Sequence, residues 1–115
     1  MGRWYRLSII KRVFMKEYKG FSDLILNLEH LPAVGWIFVD STVDRTSKDT
    51  VSSAIFYVAE NDLEEIACEK SKRTFVECPT LLDVKAVADR SKIKPDLNKY
   101  LEATLYYLEN DDFQG

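Results

Sequence analysis

Ser52-Ser53-Ala54-Ile55-Phe56-Tyr57-Val58-Ala59, then Asn61-Asp62-Leu63-Glu64-Glu65-Ile66-Ala67, then Thr74-Phe75-Val76-Glu77, is the stretch on which the fold class turns. Its first segment is apolar, β-branched and aromatic, and reads as a buried strand over Ser52 to Ala59. Asn61 is placed to cap a helix. Glu64, three residues on, completes a capping box, with Leu63, Ile66 and Ala67 as the expected inward face. The helix closes on Lys70, Lys72 and Arg73, cations that suit the negative end of its dipole. Thr74 to Glu77 forms a further short strand. Strand, helix and strand in under 30 residues predict a parallel βαβ unit with a right-handed crossover.

Toward the N-terminus, Gly35 introduces Trp36-Ile37-Phe38-Val39, a continuous apolar run closed by Asp40-Ser41, which reads as another buried strand. Residues 41–50 are polar around Val43 and read as the longest loop, carrying Asp44 and Asp49. Ser22 is placed to cap a helix from Asp23 to His30, with Leu24, Ile25, Leu28 and Leu31 apolar and Pro32 ending it. In residues 1–20, Leu7, Ile10, Phe14 and Tyr18 recur at helical spacing among basic residues, which predicts a basic amphipathic helix stopped by Gly20. A strand over residues 4–10 is the alternative there, because of Trp4, Tyr5 and the Ile9-Ile10 pair.

Toward the C-terminus, Thr80 and Asp83 open a helix docked by Leu81, Val84 and Val87, or by Leu82 with Ala86. The last helix runs from about Pro95. Leu97, Tyr100, Leu101, Leu105 and Leu108 are its expected buried stripe, with Thr104 and Tyr107 at the edge. The architecture that accommodates all of this is one α/β domain over residues 1–115, a small, about three-stranded sheet with four or five helices packed against it.

At 115 residues and 46% apolar, the chain can bury one core, and no apolar run approaches the length of a membrane span. The early positive charge is followed by an apolar run broken after Ile10 and by no small-residue cleavage site, so the cytoplasm is the expected compartment. Cys68 and Cys78 lack a Cys-x-x-Cys spacing and read as buried, reduced thiols. The net charge of −3 is unevenly spread: residues 1–20 carry +5 and the remainder −8. A basic end on an acidic body points either to an anionic partner for the end or to a basic partner for the body.

Catalytic signals are sparse. His30 is the one histidine, the four glycines form no phosphate-cradling loop, and no ligand spacing suggests a metal or cofactor. Nucleic-acid binding would rest on Arg3, Trp4, Tyr5, Arg6, Lys11 and Arg12, against an acidic body. Among the acidic groups, Asp62, Glu64 and Glu65 are accounted for by their place at a helix start. Glu109, Asp111 and Asp112 sit at a helix end, where each costs up to about 0.3–1 kcal/mol unless Asn110 caps the helix first.

Glu102-Ala103-Thr104-Leu105-Tyr106-Tyr107-Leu108-Glu109-Asn110-Asp111-Asp112-Phe113 resembles the closing motif of a small bacterial family, E-A-L-x-Y-Y-x-x-N-D-x-F. The chain departs from it where Thr104-Leu105 follows Ala103 in place of Leu. A Leu-rich helix, Leu-Pro before Trp-Ile-Phe-Val, and Leu81-Leu82-Asp83-Val84 follow the same order, so the resemblance spans about residues 21–113. Small acidic-bodied proteins of this kind are similar to immunity proteins of contact-dependent growth inhibition systems. The resemblance implies no catalysis. It implies a protein that binds and neutralises a cognate toxin domain, commonly a basic nuclease, through a carboxylate-rich surface.

On that footing the expected partner-binding residues are Asp44, Asp49, Glu65, Glu69, Tyr107, Glu109, Asp111 and Asp112. No membrane, metal or cofactor is expected, and nucleic acid is disfavoured. The alternatives are a nucleic-acid adaptor that uses the basic N-terminal segment and a non-catalytic enzyme subunit.

Overall fold

The computed structural model describes residues 15–91 and 94–111. The basic helix expected over 1–20 lies outside them as far as residue 14, as does Asp112. From Lys16 to Lys19 the chain is a strand, β1, so Tyr18 belongs to a sheet and not to that helix. The sheet is completed by β2 (Trp36–Val39), β3 (Ile55–Val58) and β4 (Arg73–Glu77) in the order β1-β3-β2-β4. Five α-helices join the described strands: α1 (Phe21–Leu26), α2 (Lys48–Ser53), α3 (Asp62–Ser71), α4 (Cys78–Asp89) and α5 (Leu97–Asn110). The α/β class is as expected, with one strand more than the three anticipated.

Every pairing in the sheet is antiparallel. β3 and β4 do point the same way, since each is antiparallel to β2, but β2 lies between them. The expected parallel βαβ pair is therefore corrected to a strand–helix–strand split by a third strand. β2 is apolar along its whole length, which suits a central strand with both faces covered.

Alternation along the strands separates two packed faces. Ile37 and Val39 of β2, Phe56 and Val58 of β3 and Tyr18 of β1 point to the larger core, shared with Phe21, Leu24 and Ile25 of α1, Val51 of α2, Leu81 of α4 and Leu101 of α5. Phe38 and Tyr57 point the other way and meet Ala59 and Cys68 of α3, with Met15 and Ile55 beside them. The β2–β4 ladder shifts register between Ile37↔Val76 and Phe38↔Thr74, leaving Phe75 without a partner. That bulge turns both Phe75 and Val76 into the larger core. Phe21, Phe56 and Phe75 then stack in sequence, with ring centroids 6.1 and 5.1 Å apart. Each such buried aromatic stabilises the fold by about 1.5–3 kcal/mol from area alone.

Several helix boundaries differ from those read in the sequence. Gly20, at φ 95°, is the N-cap of α1, in place of Ser22, and its N–H donates to Ala54 O at 2.8 Å. A Cβ at that glycine would stand 3.3 Å from Ser52 O, and L side chains rarely adopt its φ. α1 ends at Leu26, and Leu28–His30 continues as a separate 3-10 turn. The polar loop is shortened by α2, capped by Ser47 through Thr50 N–H, so β3 begins only at Ile55. α4 starts at Cys78 with Pro79 in its first turn, and Thr80 lies within it. Its buried residues are Cys78, Leu81 and Val84, the first of the two expected faces.

α5 is capped by Asp96, whose Oδ1 accepts from Lys99 N–H at 2.9 Å. Leu101, Ala103 and Thr104 are its buried residues, whereas Leu97 is 41% exposed. Thr104 was expected at the edge and lies at the centre because its hydroxyl, donated to Tyr100 O at 2.8 Å, needs no water. At the far end Asn110 Nδ2 donates to Tyr106 O, and Asp111 takes the left-handed conformation at φ 54° while its N–H donates to Tyr107 O at 2.7 Å. No helix among the described residues is long and apolar enough to cross a membrane.

Candidate functional site

The orientation of α3 is set by polar contacts at both ends. Asn61 Oδ1 accepts from Glu64 N–H at 2.9 Å, and Glu64 returns the bond to Glu60 N–H at 2.9 Å and to Asn61 Nδ2 at 3.2 Å. The capping box thus forms, with the backbone bond displaced by one residue, and it buries the Glu64 carboxylate with partners. One turn on, Cys68 packs against Phe38 and Tyr57. Past the C-terminal end of the helix, Lys72 Nζ donates to Asp40 Oδ1 at 2.8 Å and sits 4.2 Å above the Tyr57 ring.

With Glu64 and Cys68 inward, Leu63, Ile66 and Ala67 face outward, the reverse of expectation. Leu63 is 66% and Ile66 49% exposed. The turn before β2 adjoins them: Trp36 N–H donates to the Glu65 carboxylate, whose Oε2 is 3.8 Å from where a Gly35 Cβ would stand. Val34 and Trp36 on either side of that glycine are 77% and 37% exposed. Burial first and the neighbouring Glu69 second push the Glu65 carboxyl above its usual range, against the lowering effect of the Trp36 N–H. Leu63 and Ile66 are thus exposed on a helix face that also carries Asp62, Glu65 and Glu69, with Glu65 reaching the turn at Gly35.

A concave feature lies on the other side of the sheet, where α5 packs. A groove of about 280 Å³ is lined by Asp44, Arg45 and Thr46 of the loop, Arg73 of β4, and Leu105, Leu108 and Glu109 of α5. Asp44 is fixed by Thr46, whose N–H and hydroxyl donate to Oδ1 at 2.9 and 2.6 Å and hold its carboxyl below the usual range. Arg45 Nη1 donates to Thr74 O at 3.0 Å.

The expected binding residues are thereby divided. Asp44 and Glu109, 65 positions apart, line the groove. Glu65 and Glu69 lie on α3, across the sheet. Asp49 is exposed in the first turn of α2 and lines neither feature. Tyr107 packs partly against the larger core, and Asp111 serves as the left-handed cap. Arg45, Arg73, Leu63 and Ile66 were not anticipated. The signal for the last two was the strength of the Asn61/Glu64 cap, which fixes which face of α3 turns inward.

Cys68 and Cys78 are free and buried, and burial pushes both thiols up to about 11. At neutral pH they are protonated and poor nucleophiles. His30 is exposed, 3.6 Å from Glu29. Among the described residues no three His, Cys, Asp or Glu side chains are grouped to hold a metal ion.

No protein-family model matches the chain, and no curated protein or solved structure does so either.

Proposed function

We propose that the chain is a cytoplasmic immunity protein that binds and neutralises a cognate toxin domain, without chemistry of its own. The observation that carries this reading is the outer face of α3, where Leu63 and Ile66 stand exposed among Asp62, Glu65 and Glu69, with Glu65 bonded to the Trp36 N–H. Apolar side chains supply the area that desolvation rewards, and the carboxylates around them favour a basic partner and speed its approach. A nuclease domain, basic because it holds nucleic acid, has the complementary chemistry.

The test is co-expression with the product of the adjacent reading frame, which on this reading encodes a toxin domain, followed by calorimetric titration of the two purified proteins. Wild-type chain should restore growth and bind with an on-rate that falls as salt rises. Ile66→Asp combined with Glu69→Lys should lose both effects while the circular dichroism spectrum is kept. Unrelieved toxicity together with no heat of binding would end this reading.

A further inference from the structure

The groove on the α5 side of the sheet presents an arrangement that docking through α3 leaves unused. Four charged side chains line it, Asp44 and Glu109 of one sign and Arg45 and Arg73 of the other, over a floor of Leu105 and Leu108. None of the ion pairs among the described residues joins two of these four. Arg45 and Asp44 are instead held by Thr74 O and by Thr46, so their positions are set without their charges being neutralised. Arg73 lowers the Asp44 carboxyl through space, but neither its side chain nor that of Glu109 is within ion-pair distance of an opposite charge among the described residues. These four surround a space of about 280 Å³, just below the range typical of drug-sized ligands and suited to a smaller one.

We propose that this groove binds a small dipolar ligand of the apolar α-amino-acid class. Its carboxylate accepts from the guanidinium of Arg73 and from the N–H groups that Arg45 does not give to Thr74, the bidentate geometry arginine offers. Its ammonium donates to Glu109 and Asp44. Its side chain lies on Leu105 and Leu108, one turn apart on α5. A ligand with only one sign of charge leaves the opposite pair unpaired and forfeits that half of the recognition. The inference does not depend on toxin binding, since the groove and α3 occupy opposite faces of the sheet.

The experiment is a titration of the full-length, ¹⁵N-labelled chain with L-leucine, followed by amide shifts. Parallel titrations use N-acetyl-L-leucine, which lacks the ammonium, L-leucinamide, which lacks the carboxylate, and glycine, which lacks the apolar side chain. Saturable shifts with leucine at residues 44–46 and 105–109, with Kd on the order of 1 mM, are expected. Each analogue should bind at least about tenfold more weakly, as should leucine to Arg73→Gln and to Glu109→Gln. Both substituted positions are exposed, and an unchanged spectrum elsewhere will show that the variants are folded. Absence of saturation with leucine on the order of 10 mM overturns the proposal. So does binding that survives removal of either ligand charge, or that both variants retain unchanged.

Discussion

Lys72 and Asp40, 32 positions apart, meet at 2.8 Å and tie the segment after α3 to the end of β2. The Tyr57 ring lies beneath the ammonium, and the Tyr57 hydroxyl donates to the second Asp40 oxygen at 3.4 Å. The Lys72 side chain is largely covered while Asp40 is 43% exposed, so the pair is only partly shielded from salt. Lys72→Met, which keeps the stem and removes the charge, should lower stability by about 0.5–2 kcal/mol. Chemical denaturation will measure it. A loss no larger than that of Lys70→Met, on the open side of α3, would mean that the cluster adds nothing.

The same cluster sets an alkaline limit. The hydrogen bond to Asp40 holds the Lys72 ammonium above its ordinary range, and burial raises the Tyr57 hydroxyl. Both groups therefore favour the protonated form more in the folded chain than in the unfolded one. Their contribution is complete below their unfolded values of about 10 and is lost as pH rises beyond them. The melting temperature should fall more steeply above about pH 10 in the wild type than in Lys72→Met; parallel curves would refute the linkage.

Thiol reactivity offers a direct probe of the two sheet faces. Cys68 is on the inner face of α3 and Cys78 in the larger core, and burial pushes both thiols up. A disulfide reagent at pH 8 should modify neither at a measurable rate in the folded chain and both at once in denaturant. Fast modification of Cys68 alone would show that α3 lifts off the sheet independently of the rest.

Thr104 stands where the resembled motif carries leucine. It is buried at the centre of α5, and its hydroxyl is satisfied by Tyr100 O. Thr104→Leu should therefore overpack the site and cost about 1–3 kcal/mol, as read from denaturant midpoints. A neutral or stabilising result would mean that the core has room for the motif residue.

Asp111 combines a left-handed backbone with a negative charge at the helix end. Asp111→Asn keeps a residue that tolerates this conformation and removes the charge, so stability should rise by about 0.3–1 kcal/mol. If Asp111 also serves the proposed toxin partner, the same variant should bind that partner more weakly. Unchanged affinity would assign it to capping alone.

How far the sequence disclosed this structure depends on the range of each interaction. The Asn61 cap, the apolar run at Trp36 to Val39 and the docking of Leu81 and Val84 were legible because they are set by neighbours within a few positions. Strand order was not: β2 inserts between β3 and β4 through pairing with residues up to 41 positions away, as in Trp36↔Glu77. The rotation of α3 was misread because hydrophobicity alone puts Leu63 and Ile66 inside. A carboxylate fully occupied by cap donors can be buried in their place, as Glu64 is. For the site, the acidic residues were visible one by one, but only the fold could distribute them over two sides of the sheet.

Among the described residues β1 is one margin of the sheet, four residues long, and it presents Lys16, Glu17 and Lys19 to solvent around a single inward Tyr18. A strand so short and so charged gives a neighbouring molecule few backbone groups to copy and no apolar stripe to zip against. The chain should accordingly stay dispersed when concentrated, even though α3 displays leucine and isoleucine openly.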